Sequence, residues 1–268
     1  MNQKLSNFSA LLFDVDRTLT NTKREIPPDA LDALKKLSQS GYQIGLCTGR
    51  GTAAIKNKIL PLFPKNSFHV TTGGSQLIDS KGNVIWEHTI DEQSIKNLRK
   101  YLLENNRVAT FMKNDAQYAK EPMLSNLKKH PWNCISKDLK EMTNNKVGAV
   151  YIPNINDDLL DYIKKDKNFS FKYMSDNFGN SYIDVTAVGA NKAVTLKKWS
   201  KHLGIPLEKI IGFGDSLNDL EFLQACGFGV AMGNAVEEIK QIADRVIGHT
   251  DENGLAEYLL KIIQGENL

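Results

Sequence analysis

The stretch Leu11-Leu12-Phe13-Asp14-Val15-Asp16-Arg17-Thr18-Leu19 decides how this chain is read. The apolar run from Phe8 to Phe13 stops at two carboxylates, the pattern of a buried strand in a parallel sheet whose carboxyl end opens on a polar site. Ligands of α/β proteins bind at such ends. Asp14 and Asp16 are two residues apart, so an extended backbone turns both side chains to the same side. There they repel each other unless a positive charge intervenes, and a hard cation suits oxygen ligands. Taken alone, an acidic pair after a strand is more commonly an N-cap or a turn, so the reading depends on partners elsewhere in the chain.

Outward from this stretch, strand and helix alternate. Pro27-Pro28-Asp29 introduces a helix with Leu31, Leu34 and Leu37 on one face, ended by Gly41. Tyr42 to Cys47 reads as a second strand that runs into Thr48-Gly49-Arg50, Ala53 to Leu60 as a short helix, and Phe68 to Thr71 as a third strand. Such alternation predicts an α/β fold with a doubly wound parallel sheet. The pattern then breaks into a hairpin (Gln76 to Asp79 and Val84 to Glu87), helices near 91–105 and 157–165, and strands near 108–112, 147–152, 169–174 and 182–185. Residues 123–146 show no clear period and read as partly irregular. Alternation returns with a helix from Asn191 to Leu203, strands at 210–213, 228–231 and 245–247, and helices near 217–223, 236–243 and 255–263. The expected organisation is therefore a parallel-sheet core from residues 1–82 and 188–268, with residues 83–187 inserted as an α+β unit.

The chain has 268 residues, of which 41% are hydrophobic and 24% charged, a globular composition with room for a sizeable core. Its 34 basic and 31 acidic residues leave a formal charge of +3, with no basic block that asks for nucleic acid. Cys47, Cys134 and Cys226 lie far apart without metal-binding spacing, as suits a reducing cytoplasm. No apolar run of membrane-spanning length occurs, so no membrane partner is expected. The sequence gives no indication of oligomeric state.

Four strand or helix ends carry the candidate chemistry: Asp14 and Asp16; Thr48-Gly49-Arg50; Lys192; and Asp215 to Asp219. Lys192 stands in the first turn of its helix, where a cation opposes the helix dipole by about 0.3–1 kcal/mol, so something else holds it there. Ser216 and Asp219 have capping-box spacing, which gives Asp219 a structural explanation beside a functional one. Asn234 and Glu237 also read as a helix cap. Gly212 and Gly214 do not make a dinucleotide fingerprint, because Leu217 occupies the third glycine position.

In order and spacing these segments resemble the haloacid dehalogenase superfamily, and within it the type IIB, Cof-like sugar-phosphate phosphatases. The motifs are DVDRTL (Asp14 to Leu19), CTGR (Cys47 to Arg50), NKAVTL (Asn191 to Leu196) and GDSLNDLEFL (Gly214 to Leu223). AMGNA (Ala231 to Ala235) and DENGLA (Asp251 to Ala256) match the family's closing segments. Arg17, Ala193 and Thr72 depart from the usual residues, Arg17 standing where glycine is most common. The resemblance implies an inserted cap domain and an Mg2+-dependent phosphomonoester hydrolase acting on small phosphorylated metabolites, sugar phosphates foremost. It implies Asp14 as a nucleophile that forms an aspartyl-phosphate and Asp16 as general acid and base. Thr48, Gly49, Arg50, Lys192 and Asn218 would bind phosphate. Asp14, Asp16 (through its carbonyl), Asp215 and Asp219 would hold the metal. A phosphosugar mutase and a non-catalytic phosphate-binding regulator are the alternatives, the second disfavoured by the retained Asp16.

Overall fold

The computed structural model describes residues 3–175 and 181–268. The chain divides into two compact units, one formed by residues 1–49, 62–70 and 192–268 and the other by 50–61 and 71–191.

The first unit is built on a five-stranded sheet in the order Arg245–Val246, Phe228–Ala231, Ile210–Gly214, Ala10–Phe13, Gln43–Leu46. Its strand pairs are all parallel. The expected third strand, Phe68–Thr71, continues this arrangement through a parallel bridge between Cys47 and Val70. Every residue of the two central strands is buried, which is why they read as unbroken apolar runs rather than as alternating patterns. They lie in register, Phe13 beside Phe213, and the two rings stack at 4.6 Å. From the first strand the chain proceeds to one side of the sheet and later returns to build the other. Its carboxyl end is thus a topological switch point, where the connections from adjacent strands run in opposite directions, the place at which α/β sheets bind ligands. The helix Lys192–Leu203 buries Trp199 completely, and the indole N–H donates to the Phe68 carbonyl at 2.9 Å.

The second unit carries a six-stranded sheet in the order Phe169–Ser175, Ser181–Ala187, Ala149–Pro153, Thr110–Met112, Gln117–Ala119, Ser136–Asp138. Its core joins Ile95, Leu98 and Leu102 of the helix Glu92–Glu104 and Leu159 and Ile163 of Asp157–Lys165 to Phe111, Val150, Ile152, Ile183 and Val185 of the sheet. Both helices begin on a side-chain cap: Asp91 accepts from the Ser94 amide at 2.9 Å and Asn156 from the Leu159 amide at 3.1 Å. The stretch expected to be partly irregular contains a helix, Met123–Lys128, and the edge strand Ser136–Asp138. A six-residue helix completes fewer than two turns and a three-residue strand a single alternation, so neither shows a period in the sequence. Residues 50–61 join this unit through local bonds, including the Ile135 amide to the Ala53 carbonyl at 2.9 Å. Among the described residues no helix is long and apolar enough to cross a membrane.

Candidate active site

The site of the first unit grows from the carboxyl ends of its two central strands. The Asp14 amide continues the ladder by donating to the Phe213 carbonyl at 2.9 Å, so Asp14 is fixed as though still in the strand. Beyond it the backbone folds back, with the Thr20 amide and hydroxyl both donating to the Val15 carbonyl at 2.9 and 3.0 Å. Arg17 takes a left-handed φ of 59° in this turn. Glycine adopts that conformation without penalty, whereas a residue with a Cβ gives up about 1 kcal/mol or more.

On the neighbouring strand, Gly214 is followed by Asp215 and a short turn, Leu217–Asp219, closed by the Ser216/Asp219 capping box. Asp219 folds back under this turn, its Oδ2 accepting from the amides of Asp215 at 3.1 Å and Ser216 at 3.2 Å. Its other oxygen, Oδ1, accepts from Lys192 Nζ at 2.6 Å. The same ammonium donates to Asp14 Oδ1 at 2.7 Å and Asn218 Oδ1 at 3.2 Å. Asp219 is therefore both the cap that its spacing suggested and a partner of the buried lysine.

Asp14, Asp215 and Asp219 are buried and offer carboxylate oxygens within 4.8 Å of one another. Burial pushes the Asp14 carboxyl up to about 7; the Lys192 ammonium resists the rise, while Asp219 and Asp16 add to it. Burial also lifts Asp215 well above the usual carboxylate range, reinforced by Asp14 and Asp219 and opposed by Arg17 and Lys192. For Lys192 burial acts to lower the pKa, and the Asp14 and Asp219 carboxylates more than reverse it, so this ammonium stays charged. One ammonium among three buried carboxylates leaves surplus negative charge in a nest of oxygen donors, which fits a hard divalent cation.

Asp14, Lys192, Asp215, Asn218 and Asp219 thus come together from three distant parts of the sequence. Thr48 is buried, with its amide bonded to the Val70 carbonyl at 2.9 Å, and Gly49 follows it beside Asn218, whose amide nitrogen would lie 3.5 Å from an added Cβ. Asp16 is half-buried, and its carboxylate is outside the three-carboxylate cluster. Arg50 belongs to the second unit, where its guanidinium sits 5.0 Å over the Trp132 ring. Asn234 does not cap a helix: the helix Glu237–Ile242 begins after Val236 without a side-chain cap. The Asn234 Nδ2 instead donates to the Arg17 carbonyl at 2.9 Å and approaches Asp215 Oδ2 at 3.4 Å. Its capping-like position hid this role, and the AMGNA segment was the only sequence signal for it.

A family model described as haloacid dehalogenase-like hydrolase matches residues 11–259. The chain is 28% identical over 249 residues to the 5-amino-6-(5-phospho-D-ribitylamino)uracil phosphatase YcsE of Bacillus subtilis, covering 92% of each protein. It is 26% identical over 259 residues to an HMP-PP phosphatase of Yersinia pseudotuberculosis, again covering 92% of each. Among solved structures, a haloacid dehalogenase-like hydrolase from Bacteroides thetaiotaomicron superposes with a TM-score of 0.80 at 21% identity, covering 95% of this chain and 99% of that one.

Proposed function

This chain belongs to the haloacid dehalogenase-like hydrolase family, and from that premise we propose that it is a phosphatase that hydrolyses small phosphorylated metabolites through an aspartyl-phosphate on Asp14. The observation that carries the reading is the buried Asp14–Lys192–Asp219 contact, at 2.7 and 2.6 Å, beside Asp215 at the carboxyl ends of the two central strands.

A carboxylate is ionised at neutral pH once its surroundings are positive enough, so Asp14 needs no base to act as a nucleophile. Its oxygen attacks phosphorus as the ester oxygen leaves, and Asp16 delivers a proton to that leaving oxygen. Asp16, now a carboxylate, takes a proton from water as the water oxygen attacks the phosphorus of the aspartyl-phosphate, releasing inorganic phosphate and restoring Asp14. Lys192 neutralises charge on both the nucleophile and the transferred group, while Thr48, Gly49 and Asn218 hold phosphate oxygens. Asp14, Asp215 and the Asp16 carbonyl would hold Mg2+, which supplies a Lewis acid for one phosphate oxygen. Asp219 stands behind them, because both its oxygens are engaged by Lys192 and by the two backbone amides.

The relatives named above support metabolite-sized substrates, and sugar phosphates or phosphorylated sugar alcohols are the first to examine. Residues 83–187 act as the cap that selects among them. A cytoplasmic location suits both the cysteine usage and such substrates. Asp14→Asn tests the reading: hydrolysis of p-nitrophenyl phosphate should fall by about 10³-fold or more with the fold retained by circular dichroism. Retained turnover would remove Asp14 as nucleophile.

A further inference from the structure

The closing segments AMGNA and DENGLA take no part in the steps above, yet AMGNA reaches the catalytic carboxylates and DENGLA the loop that leaves them. The backbone from Met232 to Val236 wraps the end of the central strand, with the Met232 amide bonded to the Gly214 carbonyl at 3.1 Å and the Val236 amide to the Asp215 carbonyl at 3.0 Å. Within this wrap Asn234 Oδ1 accepts from the Thr250 amide at 3.0 Å. A backbone N–H can only donate, so the carboxamide oxygen must face Thr250 and the NH2 group must face the Arg17 carbonyl and the Asp215 carboxylate. The opposite orientation would set oxygen against oxygen on that side and N–H against N–H on the other. From Thr250 the tie continues: its hydroxyl donates to the Thr20 carbonyl at 3.1 Å, and Asp251 Oδ1 accepts from the Thr22 amide at 2.9 Å and its hydroxyl at 3.0 Å. The loop that leaves Asp16 is held along its length by the end of the chain, with Asn234 at the point nearest the carboxylates.

We propose that Asn234 is a positioning residue for the cation site, a single carboxamide that orients the Asp215 carboxylate and locks the left-handed Arg17 turn against it. The inference rests on the reading of Asp215 as a cation ligand. Two N–H groups on one planar amide are matched to two oxygens from different strand ends, and the third bond, to Thr250, prevents the amide from rotating. Hydrogen bonds from outside the ligand set fix ligand orientation, and their loss commonly weakens metal binding 10- to 100-fold. The same bonds give the Arg17 turn a function: the carbonyl of this residue of positive φ accepts from Asn234.

The test is calorimetric titration of Mg2+ into the full-length protein and its variants. Asn234→Ala should raise the Mg2+ dissociation constant about 10-fold or more, while KM for p-nitrophenyl phosphate at saturating Mg2+ stays within about twofold of the parent. Asn234→Ser, which keeps a hydroxyl but cannot span three partners, should weaken binding in the same direction and serves if the alanine variant does not fold. Thr22→Val loosens the clasp away from the carboxylates and should leave Mg2+ affinity unchanged. An Asn234→Ala protein that binds Mg2+ as tightly as the parent overturns the inference, as does a Thr22→Val protein weakened equally. Asp215→Asn separates the two levels: Mg2+ binding untouched by that change removes the ligand reading and the inference with it. Binding lost there but intact in Asn234→Ala removes the inference alone.

Discussion

Asp14 is ionised in an unfolded chain at neutral pH, with an ordinary pKa of 3.8, but burial in the folded protein pushes it up to about 7. A folded-state value above the unfolded one means that the folded protein binds the proton more tightly. The stability this contributes is complete below the unfolded value and is lost as pH rises through the folded one. Asp215 is shifted in the same direction for the same reason, burial among like charges. The melting temperature of chelator-treated protein should therefore fall between about pH 5 and pH 8, and the fall should be shallower in Asp14→Asn. Scanning calorimetry across that range checks the sign; a rising curve would contradict the site electrostatics. The two aspartates and the lysine were legible as candidates because each interrupts an apolar pattern at a strand or helix end. Asn234 was not, since a half-buried asparagine ahead of a helix has an ordinary explanation as its cap.

The strand Ile210–Gly214 and the turn after it work as one element. A Cβ on Gly214 would stand 2.7 Å from the Asp219 side chain, so glycine is what allows the carboxylate to fold under the turn and reach both amides. Gly214→Ala forces either the strand or Asp219 to move, and should destabilise the protein by about 1–3 kcal/mol in urea unfolding. Because Asp219 also holds Lys192, kcat should fall in the same variant, whereas a substitution that only weakened the strand would leave kcat intact. At this scale elements marked by turn chemistry were legible: the hairpin Gln76–Asp79 and Val84–Glu87 lies where its Gly-containing connection placed it. The strands Gln117–Ala119 and Ser136–Asp138 were not, because three residues cannot display alternation and their pairing is set by distant partners.

For the molecule as a whole, the surplus of carboxylates makes a bound cation part of the working structure. Protein treated with EDTA should lose p-nitrophenyl phosphate hydrolysis, recover it on addition of Mg2+, and melt higher with Mg2+ than without, since a ligand that binds only the folded state stabilises it. Equal rates with and without chelator would rule out the cation. Sequence alone determined the fold class and the acidic strand ends, because buried parallel strands must be apolar throughout and a carboxylate marks where such a run stops. Order and spacing of four motifs then pointed to one family. Only the tertiary structure decided that Asp219 is at once a cap and the partner of Lys192, and that Asn234 serves the site. Those roles depend on atoms of residues well separated in sequence brought within about 3 Å of each other, and hydrogen-bond geometry at that range leaves no periodic trace in the order of residues.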